Sequence, residues 1–270
     1  ALTALGPSFR IETDVLGEGT QDGTAWDGNL VLKGYGDPTL SVQELGALAR
    51  QVRADGVTAV TGRVLGDETW FDARRTAPGW KAEFYLNESP PLSALIVDRA
   101  VVRGRTSRDP ALSAAQLFAK ALARAGVRVE HPATLGAADD AAVALASVDS
   151  PPLAAIVHSM DQLSDNFTAE MLVKELGAVQ LGQGTTAAGI RVVYGQLAAA
   201  GIPLAGVRLV DGSGLSLYDR LTPASLVALL RVMRDDPQTA PVLIHALPLR
   251  SAERLVGEEG RSRLSPHHQK

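Results

Sequence analysis

The chain has 270 residues and a formal net charge of −4, with 46% hydrophobic and 21% charged residues, a composition typical of globular proteins. No dense block of lysine and arginine occurs, which argues against nucleic acid as a partner because phosphate contacts need a basic face. The absence of cysteine excludes disulfides, thiol nucleophiles and cysteine-bound metals. The five histidines show no metal-binding spacing, so no metal site is predicted.

The first part of the chain predicts a ββαβ unit. Apolar and polar residues alternate as in half-buried strands, and Ser41 with Glu44 has the pattern of a capping box at the start of a helix. A region rich in Gly, Thr and Asp predicts a long turn between the first two strands. The predicted order is strand, turn, strand, helix and strand, over residues 9–15, 17–28, 29–33, 41–56 and 58–65.

A loop rich in aromatic residues is predicted next. It holds five of the twelve aromatic residues of the chain, namely Trp70, Phe71, Trp80, Phe84 and Tyr85. Two interpretations stay open at this point: a hydrophobic cluster beneath a long loop, or one wall of a binding groove. Further elements are predicted as a strand over 92–102, a helix over 113–125, a strand over 127–129 and a strand over 143–148.

A short polar corner, Ser164-Asp165-Asn166, lies between two segments with apolar residues at helical spacing. Such a corner can present a hydroxyl and a carboxamide to a cleft. The same three residue types are also the preferred N-caps of helices, because their side chains accept a hydrogen bond from the first turn. From the triplet alone, a helix cap is the favoured interpretation.

The last third of the chain predicts more helices. Gly182-Gln183-Gly184 matches a loose form of the dinucleotide-binding fingerprint, but that motif needs a preceding strand and here follows a helix. The favoured interpretation of this segment is a helix cap at Thr185 or Thr186. A nucleotide-binding enzyme is kept as an alternative hypothesis for the function. A strand over 207–210 and a helix that starts at Thr222-Pro223 are predicted further on.

Several short strings, taken together, resemble the D-alanyl-D-alanine carboxypeptidase/endopeptidase family, the class C low-molecular-weight penicillin-binding proteins. They occur in the order of that family and cover residues 5 to about 235. The strings are LGPSFR at 5–10, GYGDPTL at 34–40, GRVLGDE at 62–68, SPPLSAL at 89–95, SMDQLSDN at 159–166, DGSGLS at 211–216 and LTP at 221–223.

The resemblance implies an α/β (α+β) fold, with a partial serine transpeptidase/β-lactamase-like domain interrupted by an inserted β-rich ββαβ domain. Residues 1–15 and 151–270 would form the transpeptidase-like part, and residues 16–150 the insertion. Two motifs of the family are missing. No serine is followed three residues later by lysine, and no Lys-Thr-Gly occurs.

The nearest form of the nucleophile motif is Ser251-Ala-Glu-Arg254, whose arginine stays protonated and cannot act as a base. Lys270 stands roughly where the lysine of the third motif is expected, without its context. The expectation is therefore a fragment that lacks its nucleophile and is inactive by itself.

For the complete enzyme, the resemblance implies acyl transfer in which a serine outside this chain is the nucleophile. Ser164 would relay a proton, and Asn166 would hold the substrate amide. It places Asp165, Trp80, Glu83 and Tyr85 in substrate binding. The carboxylate of Glu83 and the aromatic faces of Trp80 and Tyr85 would hold a free ammonium of the substrate. No metal or organic cofactor is implied.

The implied partners are peptidoglycan stem peptides and, for the complete protein, β-lactams, with no nucleic acid. The implied location is extracytoplasmic (periplasm, cell wall or secreted), with room for peripheral membrane association. The alternative function is a non-catalytic peptidoglycan-binding or structural protein derived from the same family.

Overall fold

The computed structural model describes residues 1–237 and 239–247, in which a mixed sheet packs beside a group of helices. The expectations for Ser251–Arg254 and for Lys270 lie outside the described residues. The strands are β1 (Glu12–Asp22), β2 (Ala25–Gly34), β3 (Ala59–Val60), β4 (Val64–Asp67), β5 (Val101–Val102), β6 (Arg105–Thr106), β7 (Arg128–Val129), β8 (Thr134–Leu135) and β9 (Val143–Asp149). The α-helices are α1 (Leu2–Leu5), α2 (Val42–Ala54), α3 (Pro110–Arg124), α4 (Leu153–Leu163), α5 (Asn166–Leu181), α6 (Thr186–Ala199), α7 (Pro223–Asp235) and α8 (Ala240–Ala246).

The hairpin of β1 and β2 has a much shorter turn than the sequence predicted. The long turn predicted over 17–28 is wrong, because the two strands pair as far as Asp22 and Ala25. Gly19 and Gly28 lie opposite each other, with φ values of 132° and 139°. A Cβ on Gly19 would lie 2.0 Å from the carbonyl oxygen of Asp27. The glycines therefore permit a close approach of the two strands and do not end them.

β2 is the central strand of the sheet. It pairs antiparallel with β1, which pairs antiparallel with β9. Along its other edge β2 pairs in parallel first with β3 and then with β4, and these two pair with β7 and β8. The strand predicted over 58–65 is thus interrupted at residues 61–63. Helices α2 and α3 pack on the sheet, and α2 begins with the predicted capping box at Ser41 and Glu44.

Residues 92–97 connect the two halves of the molecule. The strand predicted over 92–102 is wrong, because only β5 forms, as half of a short hairpin with β6. The side chains of Leu95 and Val97 pack in the core between the sheet and helices α2 and α3. Those of Leu92, Ala94 and Ile96 pack in a second core, against α5. The apolar run is explained by burial on both sides without strand pairing.

Helix α5 is the most buried element of the helical half. Eleven of its sixteen residues are buried, including the ionisable residues Glu170, Lys174 and Glu175. Its contact with α6 is close because Gly177 and Gly189 leave no side chain between the two backbones. The charged side chains inside the fold must find partners, and these partners come from loops.

The remaining predictions for the helical half have mixed outcomes. The caps at Thr185 and Thr222 are confirmed. The strand predicted over 207–210 is wrong, since only an isolated bridge between Arg208 and Arg220 forms there. Among the described residues, no helix is long and apolar enough to cross a bilayer.

The contact between α5 and α6 gives a stability prediction. A Cβ on Gly189 would lie 1.8 Å from the carbonyl oxygen of Val173, so Gly189→Ala should destabilise the chain by about 3 kcal/mol. Gly195 lies on the same helix, and no other element of the described chain comes within 4 Å of its Cβ position, so Gly195→Ala should stabilise by roughly 0.5–1 kcal/mol. Urea unfolding of both variants checks the pair. Similar effects of the two changes would contradict the close contact.

Candidate active site

The predicted polar corner joins α4 to α5. Ser164 ends α4 in the left-handed conformation, with φ 52° and ψ 50°. Asp165 is the N-cap of α5, and its carboxylate accepts hydrogen bonds from the backbone N–H of Thr168 at 3.4 Å and from its hydroxyl at 2.7 Å. The cap therefore falls on the middle residue, which leaves Ser164 and Asn166 free for another role.

Ser164 is exposed, and its hydroxyl makes no hydrogen bond within the described part of the chain. Asn166 is half-buried, and its side-chain amide donates to the backbone oxygen of Glu88 at 3.4 Å. The corner thus meets the end of the aromatic loop. An exposed hydroxyl and a carboxamide lie within one turn of each other, and their role in catalysis stays a prediction.

Arg99 reaches the corner from the segment that follows residues 92–97. Its Nη1 donates to Oδ1 of Asp165 at 3.1 Å, and its Nη2 donates to Oδ2. Its guanidinium also lies 5.2 Å from the ring centroid of Phe167. Burial raises the pKa of Asp165, but the hydrogen bonds from Arg99 and Thr168 outweigh it and hold the pKa below its usual range. Sequence reasoning missed Arg99.

The three site residues predicted on the aromatic loop have different surroundings. The half-buried Trp80 donates through Nε1 to Oδ2 of Asp211 at 3.0 Å, so it is held by the DGSGLS turn. Glu83 is exposed, and its Oε1 lies 3.8 Å from Nζ of Lys81. Tyr85 is half-buried and bridges to Ser89 on the part of the loop that meets Asn166. Their role in substrate binding stays a prediction.

The DGSGLS turn is tied to α5 by Glu170, which sequence reasoning also missed. Oε1 of Glu170 accepts from the backbone N–H groups of Gly212 and Ser213, both at 2.9 Å, and from the Ser213 hydroxyl at 2.7 Å. Its Oε2 is buried and has no hydrogen-bond partner among the described residues. Burial raises the pKa of Glu170 to about 7. The DGSGLS turn also holds Trp80, because Asp211 of this turn accepts the Trp80 hydrogen bond.

Two further buried side chains of α5 anchor the start of the aromatic loop. Lys174 donates to the carboxylate of Asp72 and to the backbone oxygen of Arg74, the latter at 3.0 Å. Glu175 accepts from Nε1 of Trp70 at 2.9 Å, and burial raises its pKa to about 7. Within the described ranges, no group of three or more His, Asp or Glu side chains could hold a metal ion.

Comparison with known proteins identifies the family. The family model for D-Ala-D-Ala carboxypeptidase 3 (S13) matches residues 1–108 and 101–263. The chain belongs to this family. The resemblance inferred from the short strings is therefore confirmed.

Curated relatives support the same assignment. A carboxypeptidase of Mycobacterium tuberculosis is 34% identical over 96% of this chain and 58% of its own length. A D-alanyl-D-alanine carboxypeptidase of an Actinomadura species is 30% identical over 85% of this chain and 57% of its own length. The chain thus spans less than three fifths of the length of these relatives.

The fold is shared with a solved structure. Penicillin binding protein 4 of Haemophilus influenzae superposes with a TM-score of 0.78 at 20% identity, over 92% of this chain and 70% of that one. A second structure of that protein, in complex with a β-lactam, gives a TM-score of 0.75. This confirms the predicted mixed α and β fold of the serine transpeptidase type.

The buried carboxyl of Glu175 gives a pH-dependent stability prediction. A raised pKa in the folded chain means stability that is full below the unfolded pKa of about 4.5 and is lost as pH rises through about 7. Glu175→Gln mimics the protonated form, so it should lose less stability between pH 5 and pH 8, by up to about 3 kcal/mol. The contribution of Glu170 is present in both proteins and cancels.

Melting temperatures across this range check the prediction. Glu83→Gln is the control, because it makes the same change of carboxylate to amide at an exposed position. Parallel profiles for the native chain and Glu175→Gln would show that burial does not perturb this carboxyl.

Proposed function

We propose that this chain carries part of the active site of a D-Ala-D-Ala carboxypeptidase that acts on peptidoglycan by serine acyl transfer. The observation that supports it is the Ser164-Asp165-Asn166 corner, where a capping aspartate leaves an exposed hydroxyl and a carboxamide, in a chain of this family. The fold match and the relatives named as carboxypeptidases support the same activity.

In the proposed mechanism, a serine outside these 270 residues attacks the carbonyl carbon of the D-Ala-D-Ala bond, with a lysine as its base. The proposal rests on the absence of Ser-x-x-Lys from the sequence. The lysine accepts the proton of the attacking serine, and Ser164 passes a proton from the lysine to the leaving amine as the C–N bond breaks. Asn166 donates a hydrogen bond to the substrate amide, and water then hydrolyses the acyl-enzyme. Groups of this kind contribute roughly 10²-fold or more when they act in the transition state.

The proposed domain division remains residues 1–15 with 151–270 and an insertion over 16–150. The pairing of β1 with β9 supports this division. The chain enters the proposed insertion through β1 and leaves it through β9, and Glu12 lies opposite Asp149. Beside this pair, the backbone N–H of Ile11 donates to the Ser150 hydroxyl at 2.9 Å. The sheet itself begins at Glu12, slightly before the proposed boundary.

The proposed partners are peptidoglycan stem peptides, with β-lactams as ligands of the complete protein. The proposed location is outside the cytoplasmic membrane, where cell-wall peptide is found, and peripheral membrane association fits the same proposal. The family assignment supports the proposed partners and the proposed location. No metal or organic cofactor enters the proposed chemistry.

Ligand binding by the 270-residue chain tests the role of the corner. Diacetyl-Lys-D-Ala-D-Ala should shift the NMR signal of the Asn166 side-chain amide, and a peptide that ends in L-Ala-L-Ala should not. Asn166→Ala should weaken binding about tenfold, the effect of one hydrogen bond of about 1.4 kcal/mol. Equal responses to the two peptides, or none to either, would contradict the proposal.

Acylation tests the position of the nucleophile. Mass spectrometry after treatment with a labelled penicillin should detect no covalent adduct on this chain. A covalent adduct would show that the nucleophile lies among the 270 residues. Peptide binding without acylation is also what the alternative, a non-catalytic peptidoglycan-binding protein, predicts for the chain alone.

The role proposed for Glu83 has a separate test. Glu83→Gln should weaken binding of a stem peptide with a free side-chain ammonium by about fivefold, the value of an exposed ion pair of about 1 kcal/mol. The same change should leave binding of the acetylated peptide unaltered. Glu88→Gln is the control, because it is an exposed glutamate of the same loop. Equal losses for both peptides would leave Glu83 with a structural role only.

A further inference from the structure

Left-handed backbone conformations are concentrated around the polar corner. Six non-glycine residues in the described part of the chain have positive φ, and all but Arg103 lie in the three segments that meet at the corner. These five are Leu86, Asp98, Arg99, Ala100 and Ser164. Left-handed conformations are unfavourable for residues with a Cβ, and they persist where the surrounding structure imposes them.

The segment at 98–100 is the most unusual, because three consecutive non-glycine residues are left-handed, with φ values of 47°, 55° and 59°. It follows residues 92–97, which are fixed between the two cores. The backbone N–H of Asp98 donates to the carbonyl oxygen of Leu40 at 2.9 Å, which fixes the start of the turn. Glycine would adopt this conformation without steric cost, but the sequence has arginine at its centre.

The side chain of Arg99 explains why arginine stands there. Its guanidinium fork contacts both oxygens of Asp165, and its plane lies near the ring of Phe167. A guanidinium fits a carboxylate with two parallel hydrogen bonds, a geometry that lysine cannot reproduce. Asp165 is the residue between Ser164 and Asn166, so the fork acts on the middle of the corner.

We propose that Arg99 is a positioning residue, which fixes the orientation of Ser164 and Asn166 through the carboxylate of Asp165. The assignment rests on the proposed function of the corner. Thr168 already satisfies the helix cap, since it donates twice to the same carboxylate. Arg99 adds a link from the corner to the rigid segment between the two cores.

The first test needs no ligand and uses the 270-residue chain. Hydrogen exchange is measured at the amides of Ser164 and Asp165, which donate to Asp161 at 3.3 Å and to Met160 at 2.9 Å. Arg99→Ala should raise exchange at both amides about fivefold, the effect of a partly exposed ion pair. Arg99→Lys should restore part of the protection. The control is Arg128→Ala, which removes an exposed arginine–carboxylate pair elsewhere.

Arg99→Gly separates positioning from a general contribution to stability. It removes the guanidinium and the steric cost of φ 55° together. The expected result is a melting temperature above that of Arg99→Ala, with the same loss of protection at the corner. Unchanged protection in Arg99→Ala, or an equal loss along the whole of α4 and α5, would overturn the proposal.

A second test uses the peptide diacetyl-Lys-D-Ala-D-Ala. Arg99→Ala and Arg99→Gly should both weaken its effect on the Asn166 amide about fivefold, and Arg128→Ala should not. If the native chain does not respond to the peptide, the proposed function fails, while the exchange data still decide the role of Arg99. If the peptide binds the native chain and both variants equally, the positioning role is excluded.

Discussion

The structure depends on the burial of three ionisable side chains on one helix. Glu170, Lys174 and Glu175 of α5 are removed from water, and a buried charge is costly unless it is paired or neutralised. Their partners are the DGSGLS turn, Asp72 and Trp70. The two glutamates have pKa values raised to about 7, and each accepts hydrogen bonds from a loop that must stay in place. Polar burial thus fixes loops that packing alone would leave free.

Local signals in the sequence predicted local structure well. The caps at Ser41, Thr185 and Thr222 depend only on residues within the first turn of each helix, and all three are confirmed. The turn predicted around Gly19 and Gly28 was wrong because glycine serves a close contact between strands as well as a turn. Residues 92–97 read as a strand because double-sided burial and strand pairing give the same apolar run.

The polar corner of the candidate site was predicted because its residues are adjacent in sequence. Ser164, Asp165 and Asn166 form one triplet, so the corner could be found without a structure. Arg99 is 66 positions from Asp165, and nothing in its sequence neighbourhood indicates an ion pair. Glu170 looked like any helical glutamate, since only the fold brings the Gly212 and Ser213 amides to it. Contacts that depend on tertiary structure leave no local pattern.

The segment between the two cores also restricts how the chain can change in length. Because its side chains point alternately to the sheet core and to the α5 core, inserting or deleting one residue within 92–97 would exchange the two sets. Leu95 would then face the space shaped for Ala94, and Arg99 would turn away from Asp165. The tip of the hairpin at Arg103-Gly104, which faces solvent, has no such restriction. In the evolution of this chain, we therefore expect insertions and deletions at the hairpin tip and none in the segment that precedes it.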